Sequence, residues 1–296
     1  GMQEAGAEVE TVHLRQKKIR NCIGCFTCWT KTPGICVHKD DMTQELFPKW
    51  LAADIVIYGT PLYHFTVNAQ LKTFIERTLP VLQPFFEERN GLTLHPLRHN
   101  VPATVMLSVA GFPDDEVFHL LSSWTRFIFH GSLLAEIYRA GAETLTVPFF
   151  AEKARQILEA TKQAGREIVS DRKISPETLA LVRQPMDGDR KSWFTMGNLM
   201  WKTCIAEGIT PKEMHEKGIM PRPDSLETFM TLLAMAFNPA GAGEMRAVIQ
   251  FVFSGEVEGS CHFRIEDGKM TPQAGRTNSA DLTITTPFGL WMDIMA

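Results

Sequence analysis

Apolar positions mark out a regular series of elements in the first 170 residues. Asp54 to Tyr58 holds the continuous run Ile55-Val56-Ile57-Tyr58 and ends at Gly59-Thr60-Pro61. An unbroken β-branched run reads as a strand buried on both faces, as parallel α/β sheets contain. Pro102 to Val109 repeats the pattern, and Leu133 to Arg139 fits an edge strand. Between these strands the apolar residues fall at helical spacing. This predicts helices over Asp41–Leu51, Val67–Leu82, Val117–Phe129 and Ala151–Ser170. In the second of them Val67, Leu71, Phe74 and Ile75 share one face. Residues 83–100, with Glu87-Glu88-Arg89-Asn90-Gly91, form a polar excursion. Gln3 to Ala7 reads as the end of a helix stopped at Gly6, and Glu8 to Leu14 as a weakly alternating strand. Strands alternating with helices predict an α/β domain, a parallel sheet sandwiched by helices, over residues 1–172.

Residues 173–224 change character. Pro176, Pro185, Pro211, Pro221 and Pro223 interrupt short helical patterns, and Trp193, Phe194, Met196, Leu199, Met200 and Trp201 form an apolar cluster. This reads as a structured helical connector. The pattern restarts at Ser225, a plausible N-cap, before a helix faced by Phe229, Leu232, Leu233, Met235 and Phe237. Strands follow over Arg246–Ser254, Ser260–Glu266, Lys269–Thr271 and Asp281–Thr286, with a turn at Asp267-Gly268, and then Phe288–Met295 at helical spacing. Helix, antiparallel strands and helix predict a small α+β domain over 225–296.

Composition narrows the function classes. A length of 296 residues fits two domains, and 44% hydrophobic with 22% charged residues is ordinary for a globular chain. A net charge of −4 gives no reason to expect nucleic acid or an anionic membrane as partner. No apolar run reaches the length of a membrane span, and no export signal is evident, so the expected location is cytoplasmic. Gly1-Met2 reads as a cloning remnant followed by a start residue.

Loops at the carboxyl ends of parallel strands are where open α/β sheets bind ligands. The leading candidate is therefore Thr60-Pro61-Leu62-Tyr63-His64-Phe65, joined by the next such exit, Ser108-Val109-Ala110-Gly111-Phe112. Tyr63, His64 and Phe65 offer stacking surfaces for a flat ring; as a plain strand-to-helix turn they would fill a core or a dimer contact. Gly111 permits close backbone approach. His64 is a candidate catalytic donor, against the ordinary reading of a lone surface histidine. Cys22-x-x-Cys25-x-x-Cys28 and Cys36 place four thiols in a short span. Such spacing suits a cubane iron–sulfur cluster, a tetrahedral zinc, or a packed loop without metal. Trp29 suits a hydrophobic lid beside them. Asp40-Asp41 reads as a cap for the helix at Met42, and Arg77 as the partner of a carboxylate or part of a dimer face. His95 and His99 read as solvated loop residues. The Met- and Phe-rich helix after Ser225 can line an apolar cavity or serve as an ordinary core helix.

Gly59-Thr60-Pro61-Leu62-Tyr63 followed by Leu71-Lys72-Thr73-Phe74-Ile75-Glu76-Arg77 resembles the flavodoxin-like NAD(P)H-dependent FMN reductases. The cysteines, Asp40-Asp41-Met42 and Ala53-Asp54-Ile55-Val56 extend the resemblance over residues 5 to 170. It implies FMN as cofactor, with the ring between the Thr60–Phe65 and Ser108–Phe112 loops. NAD(P)H would be the electron donor, a quinone, flavin or similar small molecule the acceptor, and a homodimer or tetramer the assembly. The cysteines resemble those of iron–sulfur flavoproteins within this group, implying a [4Fe-4S] cluster. In the resembled family a strand and a Ser/Thr-rich phosphate loop precede this region. Neither is in this sequence, so the chain is expected to begin inside the domain, at an internal methionine of the first helix. Two alternatives follow: a flavodoxin-fold dimerisation or lipid-binding module that has lost FMN, or an iron–sulfur electron carrier. Phe253-Ser254-Gly255, Phe263-Arg264-Ile265-Glu266-Asp267-Gly268, Ala280-Asp281-Leu282-Thr283-Ile284 and Trp291 resemble the sterol-carrier-protein-like lipid-binding domain, implying a lipid partner.

Overall fold

The computed structural model describes residues 1–89, 91–147, 150–185 and 189–295. The chain divides into two compact units, Gly1–Met186 and Asp187–Ala296. Asn90, within the polar excursion, lies outside the described residues.

In the first unit, α1 (Thr27–Thr30) and a π turn at Met42–Leu46 precede α2 (Phe47–Ala52), β1 (Ile55–Pro61) and α3 (Ala69–Glu76). A hairpin, β2 (Glu87–Arg89) and β3 (Leu92–Leu94), leads to β4 (Ala103–Val109), α4 (His119–Ile128), β5 (Leu133–Arg139), α5 (Ala151–Asp171) and α6 (Pro176–Arg183). β1, β4 and β5 form a parallel sheet in the order β1-β4-β5, with Thr60 opposite Ser108 and Val109 opposite Arg139. Helices cover both faces. Tyr58 and Met106 pack on one side with Trp50, Leu71, Phe74 and Leu121; Val105 and Ile137 pack on the other with Ala160, Ala164, Ile168 and Val182. Residues on neighbouring strands alternate between these two cores because strand side chains alternate faces.

Several expectations change. Glu8 to Leu14 pairs with no strand; its alternation instead lays Val12 and Leu14 along the first core as an extended segment. Met2–Gly6 is a single turn closed by Gly6 N–H to Gln3 O and Ala7 N–H to Met2 O, with Gly6 at φ +88°. This is the Schellman end that a glycine stop implies. The helix expected to reach Leu82 stops at Glu76, and Leu79–Val81 continues as a 3₁₀ turn because Pro80 cannot donate to the preceding turn. The polar excursion is partly ordered by the β2–β3 hairpin. α6, read as connector, packs on α5 and β5 in the first unit.

The second unit holds α7 (Arg190–Glu207), α8 (Pro211–Glu216), α9 (Leu226–Met235), α10 (Pro239–Ala242), β6 (Ala247–Ser254), β7 (Gly259–Glu266), β8 (Lys269–Ala274), β9 (Leu282–Pro287) and α11 (Phe288–Met295). The sheet order is β8-β7-β6-β9. β9 runs parallel to β6, against the all-antiparallel expectation, because residues 275–281 carry the chain back to the start of β6, where Asp281 N–H donates to Val248 O. Ser225 caps α9 in a reciprocal box with Thr228. Phe229 is fully buried and meets Phe251, Phe253, Phe263 and Phe288 edge-on at 5.0–6.1 Å. The Met- and Phe-rich helix is thus a core helix.

Candidate functional site

The two strand-exit loops are built by local chemistry. Thr60 is buried at the end of β1; its Oγ1 donates to Pro61 O at 2.9 Å and accepts from Asn68 N–H at 3.1 Å. Asn68 in turn caps α3 by accepting Leu71 N–H at 2.9 Å. Thr60 is therefore the staple between strand end and helix start, and its side chain faces inward. Leu62 N–H donates to Val109 O at 2.8 Å, which ties the first loop to the second strand. Tyr63 and Thr66 then exchange two 3.0 Å backbone bonds around His64 and Phe65, which hold φ of +46° and +62°. Two consecutive non-glycine residues in the left-handed region cost of order 1–3 kcal/mol each, and such strain concentrates at ligand sites. The tight turn leaves Tyr63, His64 and Phe65 exposed. Among the described residues the amides of His64 and Phe65 have no hydrogen-bond partner.

The second loop is held by β5 and its exit. Ala110 N–H donates to Arg139 O, Ala142 N–H to Ala110 O, and Gly141 N–H to Phe112 O at 2.6 Å. Gly141 at φ +60° makes that last bond possible. A Cβ on Gly111 would stand 3.1 Å from Glu143 Oε1, so the Glu143 carboxylate lies directly on this glycine. Phe65 and Phe112 stack across the two loops at 6.3 Å and 13°, both half-exposed. Ser108 is fully buried, and its Oγ has no partner. Thus Tyr63, His64, Phe65, Gly111 and Phe112 are assembled at one exposed edge, while Thr60, Ser108 and Ala110 form the buried floor.

The cysteines make a second assembly. Cys22, Cys25, Cys28 and Cys36 all line one cavity of about 20 Å³, together with Phe26, Arg77, Leu79 and Pro80. Gly24 at φ +63° and Phe26 at φ +52° bend the loop around it. Burial pushes the Cys28 thiol up, and the neighbouring Cys36, Cys22 and Cys25 sulfurs add to the push. Cys25 is exposed, and hydrogen bonds from Thr27 draw it down. Among the described residues no three ligating side chains stand close enough to close around an ion. The donor chemistry fits a thiophilic metal. The space is that of about one water, so a cubane would require the Cys22–Cys28 loop to move outward. Trp29 packs on Phe26 and His95 and bonds Leu79 O, beside the cavity.

Beneath the cysteines lies an ion pair that sequence reading placed only loosely. Arg77 is 2% exposed; its guanidinium bonds both Asp40 oxygens at 2.7 and 3.1 Å, Arg20 O at 2.5 Å and Thr43 Oγ1 at 3.0 Å. Asp40 also caps the π turn by accepting Thr43 N–H. Burial pushes the Asp40 carboxyl up, but hydrogen bonds from Arg77, Arg20 N–H and Thr43 N–H outweigh it and hold the group well below the usual carboxylate range. Asp40 of the acidic pair and the arginine after α3 are therefore the two halves of one buried contact. Only the pairing of a lone acidic motif with a lone basic one hinted at it.

Residues 1–108 match the family model of the NADPH-dependent FMN reductases. An iron–sulfur flavoprotein of Archaeoglobus fulgidus is 48% identical over 79 residues, covering 27% of this chain and 34% of the relative. One of Methanocaldococcus jannaschii is 43% identical over 81 residues, 27% of this chain and 40% of the relative. An FMN-dependent NADH:quinone oxidoreductase of Methylorubrum extorquens is 44% identical over 50 residues, 17% of this chain and 24% of the relative. The chain spans 24–40% of the length of these relatives. Within the first unit, residues 1–108 are thus similar to the NADPH-dependent FMN reductases.

Proposed function

We propose that the first unit is a flavin-dependent NAD(P)H oxidoreductase that passes electrons to a quinone, flavin or similar small acceptor. The observation that carries this reading is the strained His64–Phe65 turn, bridged by the Phe65–Phe112 stack at the carboxyl end of the sheet. Bound FMN would supply the acceptance and release of hydride. The chain supplies the rest. Tyr63, Phe65 and Phe112 offer apolar faces to a flat ring and exclude water from it. The free amides of His64 and Phe65 are donors for the ring's polar edge. His64, exposed on the strained turn, is placed to give a proton to an acceptor oxygen. A nicotinamide and its acceptor would take turns on the exposed side. The same apolar rim suits a second copy of the chain, as a homodimer or tetramer that completes the site. The test is to add FMN to the purified protein and follow NADH and NADPH oxidation with a quinone. Turnover that requires FMN and falls in Phe112→Ala supports the reading; a protein that neither binds FMN nor oxidises either nicotinamide contradicts it and favours a non-enzymatic module.

A second reading is favoured by the convergence of four thiols on one cavity: Cys22, Cys25, Cys28 and Cys36 hold a metal, either an iron–sulfur cluster or zinc. Iron, sulfide and zinc analysis of anaerobically purified protein separates these from a metal-free loop. The α+β second unit is read as sterol-carrier-like. Its exposed Leu290 and Ile294 on α11 support an apolar ligand or lipid surface, and failure to retain any lipid would remove this reading.

A further inference from the structure

We infer that Arg139 anchors an oxyanion site at the carboxyl end of β5, where the free Nε–Nη2 edge of its guanidinium takes inorganic phosphate or the phosphate of a larger ligand. The inference stands apart from the flavin and metal readings.

Arg139 is the last residue of β5 and lies opposite Val109, at the end of the sheet where open α/β folds take ligands. Its side chain falls on the same face as Ile137, two positions earlier, and reaches the end of α6. The residue is 6% exposed. Nη1 donates to Val182 O at 3.2 Å and to Gln184 O at 2.5 Å, so one nitrogen satisfies the last carbonyls around the end of α6. That is the ordinary use of a basic side chain at a helix C-terminus, and it accounts for Nη1 alone. Nε is sealed from water and has no partner. Among the described residues Nη2 has no hydrogen bond either, and no carboxylate stands within ion-pair distance of the guanidinium. Asp115 acts on it by charge without pairing, and burial pushes the Asp115 carboxyl up despite Arg183 and Arg139. A buried cation is costly to keep without a counter-ion. Two parallel donors on one guanidinium edge match the paired oxygens of an oxyanion.

Gln184 adds a second observation. Its Nε2 is also buried without a partner, and its backbone touches Arg139 through the 2.5 Å bond. Two residues in contact thus carry three idle donors. A phosphate has three strong acceptor oxygens and can answer all of them. The Gln184 side-chain amide makes no hydrogen bond among the described residues, so only packing holds it in place. Nη2 is not sealed from the surface and makes the first contact.

The test titrates inorganic phosphate into the full-length protein and reads phosphorus-31 line broadening and the melting temperature. The parent should bind phosphate and melt higher in its presence. Arg139→Lys keeps the charge but replaces the fork by a point charge, and should weaken binding about tenfold or more. Gln184→Glu sets a carboxylate beside the free edge. It should melt higher than the parent, bind no phosphate and gain nothing from it. This variant decides the matter if Arg139→Lys fails to fold. No phosphate binding by the parent overturns the inference, and so does affinity unchanged in the folded variants, which leaves Arg139 as a cap of α6 only. Competition gives the source. Displacement of phosphate by FMN but not by riboflavin assigns the site to a cofactor's phosphate, and displacement by neither assigns it to free phosphate; both results support the oxyanion site.

Discussion

Replacing Arg77 by methionine keeps most of the side-chain volume and strands Asp40. The carboxylate would retain only Arg20 N–H at 2.9 Å, Thr43 N–H at 3.2 Å and Thr43 Oγ1 at 3.3 Å. The two side chains are 1% and 4% exposed, so no water replaces the lost cation. Removing one partner of a buried pair costs about 3–5 kcal/mol. Arg77→Met/Asp40→Asn removes the stranded charge as well and should recover at least about 1 kcal/mol, because residues in contact couple by about 0.5–3 kcal/mol. The pH dependence has a defined sign. In the parent protein the Asp40 carboxyl is depressed, so its contribution is present above the unfolded-state value of about 3.9 and is lost as pH falls below it. In Arg77→Met burial wins and the carboxyl rises instead. The deficit of the single variant is therefore largest near neutrality and shrinks as pH approaches about 4. Urea unfolding by circular dichroism at both pH values measures it, with hydrogen exchange of Ala69–Glu76 assigning the transition to the first unit. A deficit under about 1 kcal/mol at neutrality, or one unchanged by acid, refutes the reasoning.

Phe112→Ala removes one side of the aromatic bridge and should weaken FMN binding about tenfold, read by quenching of flavin fluorescence; unchanged affinity would place the ring elsewhere. Thr60→Val deprives the part-buried Asn68 N–H of its acceptor and should cost about 1 kcal/mol of stability in chemical denaturation. In metal-free protein, iodoacetamide mapped by mass spectrometry should label exposed Cys25 first and Cys261 last, since burial pushes the Cys261 thiol up to about 11. Phe229→Ala should cost about 3–5 kcal/mol in the Asp187–Ala296 unit while amide exchange in β1 and β4 stays unchanged; coupled loss in both would contradict the division into two units.

The parallel strands were legible because unbroken apolar runs such as Ile55–Tyr58 have one common use, burial between two helical layers. The loops were legible because they follow from strand direction, and the structure does bring Tyr63, His64, Phe65, Gly111 and Phe112 to one edge. What pattern could not show was the turn at His64–Phe65, since phenylalanine rarely adopts positive φ and the Tyr63–Thr66 bonds close the turn around both residues. Thr60 and Ser108 read as site residues, but their side chains face the interior, because period-2 alternation along β1 and β4 turns every second residue inward. Val12 and Leu14 alternated like a strand yet found no partner, as alternation reports burial of one face and not pairing. The parallel placement of β9 depended on where residues 275–281 lead, which periodicity does not encode. Asp40 and Arg77 stood as separate motifs 37 positions apart, and only the fold joins them.

The most direct test of the flavin site is a visible absorption spectrum of the purified protein, alone and after addition of FMN, with the released chromophore identified by chromatography. The account predicts a flavin spectrum, from FMN either retained or taken up, that is lost together with Phe65 and Phe112 in the double alanine variant. A protein that is colourless, takes up no FMN and shows no change in that variant would contradict it.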